Sequence, residues 1–156
     1  MSLRRFHEAQ ESRFGGYETA LAEIRGGAKR SHWIWYIFPQ LQGLGRSSAA
    51  QAYAIRDFSE ACEYLRDPTL RARYAEIAAA VQEQLAAGVE LRELMGSSID
   101  ALKLVSSVTL FRAAAESFGH NDVALRSLAI TCAAIRDQAS LQGFPPCQKT
   151  LAELAG

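Results

Sequence analysis

The chain has 156 residues, 49% of them apolar and 22% charged, which excludes disorder, collagen-like repeats and a membrane-embedded protein and predicts a single globular domain over residues 1–156. Seventeen Lys and Arg offset seventeen Asp and Glu, so no global field draws the protein to nucleic acid or to an anionic membrane, and any anion site must be local. Cys62, Cys132 and Cys147 form no CxxC pair, which argues against a disulfide framework and fits a reducing, cytoplasmic setting.

The start, Met1-Ser-Leu-Arg-Arg-Phe-His7, carries basic residues but no apolar run of signal-peptide length, and no stretch reaches the ~18 apolar residues of a membrane span. Leu3 and Phe6 open a first helix, broken before Gly15-Gly16. A second stripe, Tyr17, Ala20, Leu21 and Ile24, ends at Gly26-Gly27. Glu8, Glu11, Glu18 and Glu23 read as solvated faces. Trp33-Ile-Trp-Tyr-Ile-Phe38 has strand propensity, yet no second strand exists to pair with it, so a buried helix is expected there. Ser47-Ser48 precede an apparent helix containing Ala49 through Ile55. Asp57-Phe-Ser-Glu60 and Ser97-Ser-Ile-Asp100 both have capping-box spacing.

After Asp67 as N-cap and Pro68 at the first helical position, Leu70, Tyr74, Ile77, Val81 and Leu85 share one face, and Gly88 supplies the left-handed stop. From Ser97 to about Ala115 apolar residues cover most of the helix circumference, which predicts a central buried helix around residues 98–114. A long helix follows from Asn121 to about Gln138. Gly143-Phe-Pro-Pro then turns the chain into a short helix through Leu151 and Leu154. The fold class is all-α, a compact multi-helix domain.

Two clusters can carry chemistry. The first runs from Lys29 to Ser48 and combines Lys29, Arg30, His32, Trp33, Trp35 and Gln40 with a turn at Gly43, Gly45, Arg46 and Ser47. Backbone N–H groups beside Arg46 suit a phosphate or carboxylate, and Trp33 or Trp35 can stack a flat group. The turn lacks both the Walker lysine pattern and the dinucleotide fingerprint, so no cofactor is implied. The second cluster is the seam Asp100, Lys103, Ser106 and Ser107 on the central helix. There Lys103 pairs with Asp100, snorkels to water or meets an anion. Thr109 either joins this seam or bonds back to its own helix. His7, His32 and His120 have no metal-ligand spacing, so no metal site is expected. Cys147, near a helix start, has the setting for a lowered thiol pKa but no identifiable base; Cys62 and Cys132 read as core.

Lys29 through Gly45, then Ser47, Gln51 and Tyr53-Ala-Ile55, closely resemble the bacterial family called domain of unknown function 1810. Lys103-Leu and Ser106 through Phe111 resemble its second motif, with Val108 where methionine is usual. Phe6, Ala9-Gln10, Glu60-Ala and Tyr64-Leu65 agree as well, and Gln148-Lys-Thr-Leu151 resembles its closing helix, while Ala113 to Phe144 departs from the pattern. The resemblance implies an all-helical fold and no activity. Some members carry a calpastatin label, which no feature of this sequence explains.

Two functions are expected to compete. In the first, both clusters line one polar cavity for a small anionic, phosphorylated or nucleotide-like ligand, with His32 as acid or base and Lys103 as charge stabiliser if a reaction occurs. In the second, the aromatic-basic segment anchors a protein partner. Balanced charge disfavours nucleic acid.

Overall fold

The computed structural model describes residues 3–156; Met1 and Ser2, part of the start read for targeting, lie outside the described residues. Among the described residues ten helices follow one another: α1 (Arg4–Gln10), α2 (Tyr17–Arg25), α3 (Ile34–Ile37), α4 (Ser48–Ala52), α5 (Phe58–Arg66), α6 (Pro68–Ala86), α7 (Leu91–Met95), α8 (Ser98–Glu116), α9 (Val123–Leu141) and α10 (Gln148–Ala155). Among the described residues none is long and apolar enough to cross a membrane.

The helix starts follow the side chains that cap them. Asp67 Oδ1 accepts from the N–H groups of Thr69 and Leu70 at 3.0 and 3.1 Å, with Pro68 opening α6. Asp57 and Ser97 accept from the N–H of Glu60 and Asp100 at 2.9 and 3.1 Å. Neither capping-box acid reaches back to its N-cap N–H, however. Glu60, 1% exposed, takes the Arg56 N–H at 2.9 Å and the Arg5 guanidinium at 2.8 Å, which ties α1 to α5. Asp100 is taken by two lysines, as described below.

The central position of α8 follows from its apolar circumference. Leu104, Val105, Val108, Leu110, Phe111 and Ala114 are all buried, and α8 packs against α9, α5, α7 and α10. A chain of aromatic rings crosses this core: Phe6 to Tyr64 at 5.2 Å between centroids, Tyr64 to Phe111 at 5.0 Å, Phe111 to Tyr74 at 4.6 Å and Tyr74 to Phe38 at 5.5 Å. Burial of the two tyrosines is possible because both hydroxyls are satisfied. Tyr74 bonds Ser107 Oγ at 2.9 Å, and Tyr64 accepts from Gln10 Nε2 at 3.0 Å.

The short elements differ from their sequence readings. Of Trp33–Phe38 only Ile34–Ile37 is helical, one turn long. Pro39 follows, and a residue before proline is driven out of the helical region; Phe38 has φ −121° and ψ 74°. Leu41 then forms an isolated parallel bridge with Ile55. The helix read through Ile55 stops at Ala52, because the Ile55 N–H donates to Gln40 O at 2.7 Å and its carbonyl accepts from Gln42 N at 2.8 Å. With Leu41 and Ile55 both buried, this bridge closes residues 41–55 into a loop that carries α4.

Candidate functional site

The site rests first on the 29–33 segment. Glu23, read as solvated, instead organises it, accepting from the N–H groups of Arg30 and Ser31 at 2.8 and 2.9 Å, from the Ser31 hydroxyl and from the Trp33 indole at 2.9 Å. Partial burial alone would raise its pKa. The hydrogen bonds from the Ser31 hydroxyl, the two backbone N–H groups and the indole outweigh that and hold it down at about 2. Lys29 is fixed on the other side, its N–H donating to Leu94 O at 2.8 Å. Gly96, with φ 84°, ends α7 there; a Cβ would stand 3.0 Å from Lys29 O.

The Lys29 side chain turns inward and is 6% exposed. Its Nζ lies 2.7 Å from Asp100 Oδ2 and donates to Ser31 O at 2.7 Å, 5.0 Å from the centre of the Trp33 ring. Asp100 Oδ1 meets Lys103 Nζ at 3.4 Å. One carboxylate between two ammonium groups leaves one positive charge uncompensated, and the shorter contact assigns the carboxylate chiefly to the buried Lys29. Lys103, one turn further along α8, stands 5.0 Å from the Trp35 ring centre.

The facing wall is the bridged loop. Ser47 caps α4 by accepting from Ala50 N at 3.1 Å, so its hydroxyl proton remains available to another acceptor. Gln51 Nε2 donates to Arg46 O at 3.0 Å and fixes the turn. Gly45 must lack a side chain, since a Cβ would lie 2.5 Å from Ala50 Cβ. Tyr53 packs edge-on to Tyr36, centroids 5.1 Å apart.

Between this loop and α8 lies an open hollow of about 240 Å³, slightly smaller than the usual small-molecule site. Trp35 and Tyr53 supply its rings, Lys103 and Arg46 its charges, and Gln40 and Ser47 its neutral polar groups, with no carboxylate among its described lining residues. Arg46 is exposed, and no ion pair reaches it among the described residues. The structure thus brings together Trp35, Gln40, Gly45, Arg46, Ser47 and Lys103 from two distant stretches of chain.

The remaining residues from the sequence reading sit elsewhere. Lys29 stands behind Lys103 in the ion-pair cluster. Arg30 and His32 have exposed side chains and do not line the hollow. Trp33 is fully buried. Gly43 lies in the neighbouring depression. Ser107 is bonded to Tyr74 in the core, and Ser106 donates to Leu102 O at 3.1 Å on the side of α8 that meets Cys147. Thr109 bonds back to Val105 O at 2.7 Å. Tyr53 was absent from the sequence-predicted set; its only sequence signal was its place beside Ala54 and Ile55 in the first family motif.

Residues 1–142 match the family described as a protein of unknown function, DUF1810. The match runs past Phe111 and takes in α9, where the sequence pattern had departed most. The crystal structure of the conserved hypothetical protein Rv1873 from Mycobacterium tuberculosis has a TM-score of 0.80 to this chain. It is 34% identical, with 99% of this chain and 96% of that chain covered. Comparison with curated proteins finds no match.

Proposed function

Because the chain belongs to the DUF1810 family, whose description assigns no chemistry, we propose its function from the hollow itself: binding of a small anion that carries a flat ring, of the phosphorylated or nucleotide-like class. One observation carries this reading. Two cations and two aromatic rings converge on one water-accessible hollow with no carboxylate in its described lining. Lys103 and Arg46 receive the anion, the first as a compact point charge and the second as a planar fork. Trp35, which carries Lys103 over its ring, and Tyr53 supply the aromatic surface against which the ring packs, and Gln40 and Ser47 supply hydrogen bonds that fix orientation. Lys29 and Asp100 are positioning residues, holding Lys103 at the mouth of the hollow. The exposed His32 takes no part, so binding rather than catalysis is the function proposed.

Tryptophan fluorescence titrated with adenosine 5′-monophosphate, with inorganic phosphate as the ringless control, tests this. Saturable binding of the nucleotide is expected, tighter than phosphate, with Lys103→Ala raising Kd at least tenfold while the far-UV CD spectrum stays unchanged. An unaltered Kd in Lys103→Ala, or no saturable response to the nucleotide, would overturn it. Stable binding of a protein partner through Trp35 is the competing outcome. Trp35 is partly buried and turned toward the hollow, and the fully buried Trp33 offers no surface for such an anchor.

A further inference from the structure

The hollow does not end at Gly45. Gly45 and Ala54 also border a second, more open depression of about 510 Å³, whose other lining residues are Gln42, Gly43, Gln51 and Lys149. Resting on the reading just given, we infer that the bound ligand is elongated and carries two adjacent anionic groups, as in a nucleoside diphosphate, and that Lys149 of α10 holds the second group.

Three observations support the path. Gly45 and Ala54, which border both depressions, present nothing larger than a methyl group to block the way, and the packing of Gly45 against Ala50 keeps the glycine bare. The far side holds a cation in the right place. Lys149 Nζ donates to Gly43 O at 3.1 Å, which pins the ammonium over the turn while leaving two of its three N–H donors unused. No ion pair reaches Lys149 among the described residues, so its charge is as uncompensated as that of Arg46. Gln42 and Gln51 add neutral donors along the same floor. The size of the first hollow points the same way. At about 240 Å³ it accommodates a ring with one anionic group, and a longer anion must continue across Gly45.

Adenosine mono- and diphosphate serve as paired probes, because stacking on Trp35 is indifferent to the base. The wild-type protein is expected to bind the diphosphate about tenfold more tightly than the monophosphate. Lys149→Gln, which keeps a donor for Gly43 O but removes the charge, should erase that preference while leaving the monophosphate Kd within twofold. Lys149→Arg should retain the preference. Equal wild-type affinity for the two probes, or a preference that survives Lys149→Gln, overturns the second arm alone. Failure of both probes to bind overturns the hollow and this inference with it.

Discussion

The molecule holds itself together in two different ways. In α6, α8 and α9, each of 19 residues, long helices bury continuous apolar faces, and side chains of adjacent turns cooperate so that no single contact decides the structure. From Lys29 to Tyr53 the two helices are one turn or little more, and the backbone is held by a few hydrogen bonds with residues outside those helices: two with Glu23, two with Ile55 and one each with Leu94 and Lys149. Stability is spread over the helices, whereas the candidate site is mounted on a segment whose shape other parts of the chain impose.

The largest effect should come from breaking the helical half. Phe111→Ala removes the ring that contacts both Tyr64 and Tyr74 and should cost about 3–5 kcal/mol in urea unfolding, with every probe of structure reporting the same transition. A loss under 1 kcal/mol would show that the aromatic chain does not organise the core.

Glu23→Ala tests the other half. It removes the acceptor of four donors and should cost roughly 2 kcal/mol, with faster amide exchange confined to residues 30–33 and the long helices unaffected. The acid dependence follows from the lowered pKa. The contribution of Glu23 is complete above its ordinary 4.5 and is lost as pH falls through about 2, so Glu23→Gln should flatten the acid limb of stability within that window. An unchanged limb would assign the acid sensitivity to other carboxylates.

Phe111 and Glu23 also differ in how far their roles could be read in the sequence. The cap at Asp67, the stripe from Leu70 to Leu85 and the apolar circumference of α8 are local patterns, because each follows from spacing within one helix. Lys103 and Arg46 were legible as candidates for a related reason, since each is a charge in an unusual local setting. The role of Glu23 was not legible. On the surface of α2 its spacing matches that of a solvated acid, and only the fold brings the 29–33 backbone to it. The diversion of Asp100 from its capping box to Lys29 is hidden for the same reason, as the two are 71 positions apart in a contact formed only by folding.

A smaller effect should separate the three cysteines. Burial would raise the Cys147 thiol, but the neighbouring Ser106 hydroxyl, the hydrogen bond donated by Thr150 and the N–H groups at the start of α10 outweigh it and lower the pKa. Burial instead pushes Cys132 up to about 12. At pH 7 a disulfide reagent should modify Cys147 first, with Cys62 and Cys132 reacting only on unfolding, and Thr150→Val should slow the first phase several-fold. Simultaneous reaction of all three would contradict that order. The smallest change is expected on the outer face of α9, where Ile130 is 66% exposed and Ile130→Ala should alter stability by less than about 0.5 kcal/mol.

Binding in the hollow requires the ring of the ligand to lie against Trp35 and not elsewhere on the protein. Nucleotide-induced fluorescence change measured in Trp35→Phe and Trp33→Phe tests it most directly, because the two indoles are close in sequence but only Trp35 lines the hollow. The signal is expected to disappear in Trp35→Phe and to persist in Trp33→Phe. A signal that survives the loss of Trp35 undiminished would contradict it.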